Sequence, residues 1–169
     1  MWVPISAESR AEVVDRVVAV VESEPVLESQ VRLEIDLTAF DPTPLPGWTS
    51  VEPDPLERVI DATIFRAMAA DVALYQPTRE QLEARREALR AAVGDPRAWD
   101  ALLARHSLDE AGLSVVLRRR MVVEKLLLRN LVTSPADLAS WRAECRALLD
   151  QVRPRVRIRY VAPLEGEAP

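Results

Sequence analysis

Residues 16–37 read RVVAVVESEPVLESQVRLEIDL, and the reading of this stretch decides the fold. Val13 to Val21 is VVDRVVAVV, with four valines in its last five residues, and β-branched side chains favour a pleated strand. Ser23-Glu24-Pro25 breaks the run, because Pro25 fixes its own φ and biases Glu24 away from helix. Val26 and Leu27 follow as a short return strand or a helix entry. Val31, Leu33, Ile35 and Leu37 then alternate with charged residues at the strand period. Leu27, Val31 and Ile35 also recur at i, i+4 and i+8, which is a helical stripe. Pattern alone tilts 31–37 toward strand.

A strand near the N-terminus needs a partner, and the far end of the chain offers one. Arg155 to Val161 alternates cleanly after Pro154, with Val156, Ile158 and Tyr160 expected to face the core and Arg155, Arg157 and Arg159 the water. The ends therefore meet in a small two-stranded β-sheet that pairs N- and C-terminal strands, with helices between them. The expected class is mostly α, in one domain over 1–169. Its parts are an N-terminal extension (1–12), a strand and first segment (13–40), a connector (41–55), helices (56–152) and a C-terminal strand (155–161).

The connector holds Pro42, Pro44, Pro46, Pro53, Pro55 and Gly47, which excludes a helix or a central strand. Trp48 within it reads as an anchor on the core, and a second reading makes the segment a ligand for a proline-recognising domain. After it, Leu56, Val59, Ile60, Ile64, Ala67 and Leu74 keep the 3.6 period. Thr78 with Gln81 is a capping box for a helix over Arg79–Val93, ended by Gly94. Asp95-Pro96 opens a short helix carrying Trp99, Leu102 and Leu103. Asp109 caps a long helix to Asn130. Ser134-Pro135 caps a last one, with stripe Leu138, Trp141, Cys145, Leu148, Leu149 and Val152.

Composition narrows function by exclusion. Lys and Arg number 22 against 27 Asp and Glu, a net charge of −5, which argues against general nucleic-acid binding. One Cys excludes an intramolecular disulfide, and one Cys with one His excludes the common zinc clusters. Four Gly and no GxGxxG or GxxxxGK[ST] leave no phosphate-cradling loop, and no cofactor is implied. No apolar run approaches a membrane span, and residues 1–12 lack the features of a secretory signal. His106 reads as a partly buried structural histidine and Cys145 as a small core hydrophobe. Glu34 and Asp36 read as a solvated face, and Arg120 as an i+4 partner of Glu124. These residues assemble no catalytic site, so the chain reads as a non-enzyme.

One irregularity stands out. The helix from Leu56 leaves Phe65, Met68 and Val72 opposite its main stripe. The helix from Asp109 puts Leu113, Val116, Leu117, Val123, Leu127 and Leu131 on its main face and leaves Val115, Val122 and Leu126 as a second stripe. A helix apolar on both sides is either buried between two helical layers or presents a groove for apolar peptide. Six such side chains left in water are costly unless something covers them.

The order of parts resembles the N-terminal chaperone region of the SurA family. The carriers are RVVAVVESEPVLESQV, the helix opening Pro55-Leu-Glu-Arg-Val-Ile-Asp61, the capped Thr78 helix, the short Trp99 helix, and Leu117 to Leu128. The most specific part is Val26-Leu-Glu-Ser-Gln-Val31 after a valine-rich strand. The resemblance runs from Val14 to Asn130, and the last helix and strand look like the family's returning C-terminal segment. It departs in having Ser23-Glu24-Pro25 at the turn, a longer connector, and only Leu131 to Thr133 and Ser134 where an isomerase domain normally sits.

This resemblance implies a helical segment over Ser29–Leu37 and a periplasmic holding chaperone for unfolded or extended polypeptide clients of the envelope and outer membrane, without isomerase activity. Phe65, Met68, Val72, Val115, Val122 and Leu126 are the client-binding candidates, with Met68 and Met121 as adaptable contacts. The alternative is a structural or adaptor subunit of an envelope complex built on the same fold.

Overall fold

The structure is a computed structural model, and it describes residues 15–40, 54–70 and 72–161. The N-terminal extension, most of the proline-rich connector and Trp48 lie outside the described residues. The chain is mostly α, with six helices and one small antiparallel sheet among the described residues. In order these are β1 (Val17–Val21), β2 (Glu24–Leu27), α1 (Glu28–Thr38), α2 (Pro55–Ala69), α3 (Arg79–Val93), α4 (Pro96–Arg105), α5 (Glu110–Asn130), α6 (Leu138–Val152) and β3 (Ile158–Tyr160).

The sheet has three strands in the order β2-β1-β3, so it is one strand larger than the two-stranded expectation. Val21 pairs with Glu24, which places the reversal at Glu22-Ser23 rather than at Ser23-Glu24-Pro25. Pro25 is accommodated inside β2 because it lies opposite Val20 with its missing N–H on the outer edge of the sheet. Glu22 sits at φ 55, and it is held there from the far strand: its N–H donates to the Arg157 carbonyl (2.8 Å) and its carboxylate accepts from the Arg157 N–H (2.7 Å).

Residues 28–38 are helical, against the alternation that tilted 31–37 toward strand. The Gln30 side chain accepts from the Leu27 N–H (2.9 Å) and starts the helix. Leu37 is buried and Leu33 packs against the same cluster, whereas Ile35 is half exposed. The i, i+4 pair wins because α1 has a partner for only one side.

The other helix starts follow their caps. Asp54 accepts from Leu56 N–H (2.8 Å) ahead of Pro55, Asp95 from Arg97 N–H (2.9 Å) ahead of Pro96, and Thr78 exchanges bonds with Gln81. Gly94 adopts φ 78 and closes α3. Two boundaries differ from expectation. The α2 helix ends at Ala69, with Ala73–Tyr75 a separate tight turn. The last helix is capped by Asp137, which accepts from the Ser140 N–H, three residues beyond Ser134.

The interior divides into three clusters, and α5 serves two of them. Its Leu113, Leu117 and Met121 pack with Leu37, Leu82, Leu89 and Trp99. Its Val122, Val123, Leu126 and Leu127 pack with Phe65, Ala69, Trp141, Cys145 and Leu149. The third cluster joins Ala19, Val21 and Val26 of the sheet to Ile60 and Ile64, with Val156 and Ile158 against it. Tyr160, expected in the core, is half exposed and donates from its hydroxyl to Glu57 (2.8 Å), which also holds Arg153. These contacts fasten the returning C-terminal segment to the first turn of α2.

Candidate functional site

The six candidate residues divide cleanly. Phe65, Val122 and Leu126 are buried in the cluster that α6 closes, so they face the chain's own interior and not a client. The physical reason is that α6 returns over that side of α2 and α5, which makes α5 a helix between two layers. Met68, Val72 and Val115 stay exposed, at 40%, 46% and 50%. They do not form one surface. Phe65 and Ala69 pack beside Val122 to Leu127, and Tyr75 accepts from the Asn130 side chain, so the Met68–Val72 end of α2 lies at the C-terminal end of α5. Val115 lies in the first turns of α5, roughly 20 Å away at 1.5 Å per residue.

What remains open is a cleft between α1, α2 and α5, with a volume of about 120 Å³. Its apolar walls are Leu33 and Leu37 from α1, Val59 and Ala62 from α2, and Val116 and Val123 from α5. Leu33, Val59, Ala62 and Val116 are only partly covered, so the cleft is reachable from solvent. The volume is comparable to the ~150 Å³ apolar cavity that holds one benzene molecule. The cleft therefore has room for one branched or aromatic side chain.

The polar side of the cleft holds Glu34, which the sequence pattern placed on a solvated face, together with Arg66, Arg119, Arg120 and Glu124. Glu34 is 12% exposed and accepts from Arg58 Nε of α2 (3.1 Å) and from Arg120 of α5. Glu124 takes the guanidinium of Arg85 through two bonds, 3.0 and 2.6 Å. Arg120 thus pairs across the cleft with Glu34, and Arg85 with Glu124, two pairs between helices that go beyond the expected pairing within α5. Arg66 pairs with Glu24 of β2. Arg119 also lines the cleft, is exposed, and has no hydrogen-bond or ion-pair partner among the described residues.

These charges fix the spacing of the three helices. Buried carboxylates that accept two charge-assisted bonds are costly to move, so the cleft walls hold their separation. Sequence reasoning missed the cleft because its walls come from three helices separated in the chain. The one local signal was the pairing of a carboxylate with the leucine stripe in Leu33-Glu34 and Ile35-Asp36-Leu37.

A second hollow, between α1 and the end of α4, carries the single histidine. His106 Nε2 lies 2.8 Å from Asp36 Oδ2, and Arg105 donates to the same oxygen at 3.0 Å. The His106 hydrogen bond is the main influence that holds the Asp36 carboxyl below its ordinary value, with Arg105 helping. Among the described residues no hydroxyl or thiol hydrogen-bonds to the His106 ring, and the arrangement ties α1 to α4. Cys145 lies in the core, and burial pushes its thiol up to about 12, far from a reactive thiolate. Among the described residues no group of three or more His, Cys, Asp or Glu is placed to hold a metal. Among them, too, no helix is long and apolar enough to cross a membrane.

Compared with protein-family models and with curated proteins, the chain matches none of either.

Proposed function

We propose that this chain is a holding chaperone that binds extended, apolar segments of envelope proteins in the periplasm, by contact alone. The observation that carries the reading is the α1–α2–α5 cleft, an apolar hollow that stays open beside the main faces of α2 and α5, while α6 covers Phe65, Val122 and Leu126. The resemblance of residues 14–130 to the SurA chaperone region supports the same reading and supplies the compartment. The binding surface in this reading is the cleft wall (Leu33, Val59, Ala62 and Val116), and not the set of Phe65, Val122 and Leu126.

The mechanism is capture of one client side chain at a time. Burying one Val, Leu or Phe side chain is worth about 1.5–3 kcal/mol. A single anchor of that size holds a client only weakly, since a millimolar dissociation constant already needs about 4 kcal/mol. Weak capture suits holding without nucleotide hydrolysis, because the client leaves as soon as its own core forms.

The test is aggregation of an unfolded outer-membrane protein with the chain in excess, titrated toward millimolar concentration, the range in which about 4 kcal/mol of capture acts. The chain should suppress light scattering, and Val116→Asp, which puts a carboxylate on the half-open wall, should abolish suppression while the helical circular dichroism stays unchanged. Unchanged aggregation beside an active reference chaperone would overturn the reading.

A further inference from the structure

We propose that the outer edge of β3 is a docking edge, which takes an extended segment of a partner polypeptide with acidic and apolar residues in alternation as a fourth strand. The inference does not rest on the cleft or on the holding role.

The backbone pattern sets the argument. Val161 N–H donates to the Val18 carbonyl (2.9 Å) and Glu22 N–H to the Arg157 carbonyl (2.8 Å), with Val20 opposite Arg159 between them. Residues 157, 159 and 161 therefore turn their backbone polar groups toward β1, and Ile158 and Tyr160 turn theirs to the outside. Neither of those two N–H groups has a partner among the described residues. An unpaired row of donors and acceptors is a template for another strand.

The two edges of the sheet are treated differently. At the outer edge of β2 the residue that would present an N–H is Pro25, so that edge is missing a donor. The β3 edge keeps both of its donors. Charge then states what fits there. Arg155, Arg157 and Arg159 are exposed, and none of their guanidinium groups has a partner among the described residues, although the whole chain carries −5. Arg157 and Arg159 project on the face of the sheet opposite Ile158 and Tyr160. An added strand with Glu or Asp opposite the arginines and apolar residues opposite Ile158 and Tyr160 satisfies both faces, because opposite charges across neighbouring strands attract. A basic or uncharged strand leaves the arginines unanswered.

The probe is a fluorescent peptide of alternating Glu and Val added to the full chain, read by anisotropy and by residue-resolved amide exchange. The expected result is binding that slows exchange at Ile158 and Tyr160 by about tenfold or more and leaves Arg159, already bonded to β1, unchanged. Tyr160→Pro, which removes one outward N–H together with the hydroxyl bond to Glu57, should abolish binding, and Tyr160→Phe, which removes that hydroxyl bond alone, should keep it. Arg157→Glu with Arg159→Glu, a pair that leaves every backbone bond in place, should weaken it about tenfold or more. A Lys-Val peptide should not bind. Binding without slowed exchange at Ile158 and Tyr160 would reduce the effect to charge attraction and overturn the proposal. Strong protection of both amides in the free chain would overturn it too, since the edge would then already be occupied by the chain itself.

Discussion

Arg85 of α3 and Glu124 of α5 meet through two parallel hydrogen bonds of 3.0 and 2.6 Å, with both side chains about one-tenth exposed. The pair ties α3 to the central helix beside the cleft, at a depth where a guanidinium or carboxylate without its counterpart is expensive.

Removing one member should therefore cost more than removing both. Arg85→Met or Glu124→Gln is expected to lower stability by about 3 kcal/mol, and Arg85→Met with Glu124→Leu to recover most of that loss. Urea unfolding midpoints of the three variants check it. A double variant as unstable as the sum of the singles would mean that the two side chains contribute independently, and would remove the pair as a coupled unit.

The Asp36–His106 contact makes a pH prediction. The His106 hydrogen bond, with help from Arg105, lowers the folded-state value of Asp36 below the ordinary 3.8. The unfolded chain then binds that proton more readily, so this stability is present above about pH 4 and is lost as pH falls through the ordinary value and below it. Asp36→Asn should cost stability at pH 6, and the gap to the parent protein should narrow as the pH drops below about 4. Urea midpoints across this range give the gap, and one that stays constant would remove Asp36 as the titrating group.

Ala70 follows α2 at φ 42 and ψ −138, a conformation that L side chains rarely adopt. Ala70→Gly is expected to stabilise the chain by about 1 kcal/mol, since the relief of strain outweighs the added freedom of glycine in the unfolded state. The melting temperature should rise, and Ala70→Val should lower it.

Cys145 should behave as a core residue. Burial drives its thiol up to about 12, so a thiol reagent at pH 8 should label it only as fast as the α2–α5–α6 interior opens. Labelling should become fast above the urea midpoint. Rapid labelling of the native chain would mean that α6 leaves its place readily.

Much of the fold was legible locally. Caps at Thr78, Asp95 and Asp109 announce helices whose first turns follow them directly, because a cap acts on N–H groups two or three residues away. The β1–β3 pairing was legible too, since a clean alternation after Pro154 needed a partner and one valine run supplied it. The candidate site was not. A moment at one helix reports that a second side is apolar, and cannot report whether α6 or solvent lies against it. Phe65, Val122 and Leu126 went to α6, whereas Val116 and Leu33 kept an opening. Glu34 looked solvated for the same reason: it is polar on its own helix, and Arg120, which draws it inward, lies 86 positions away.

The sequence by itself determined that the chain after the connector is helical, where most of those helices begin, that the two ends of the described chain share a sheet, and that the only Cys is a core residue. Those properties follow from steric preference, short-range hydrogen bonding and periodicity, all of which act within a few residues. The tertiary structure decided three things. It placed α6 over one side of the central helix, drew Glu34, Arg58 and Arg120 together between α1, α2 and α5, and left the backbone polar groups of Ile158 and Tyr160 on an open sheet edge. Those depend on which surfaces remain after the largest apolar areas have found each other, and that is a property of the whole chain at once.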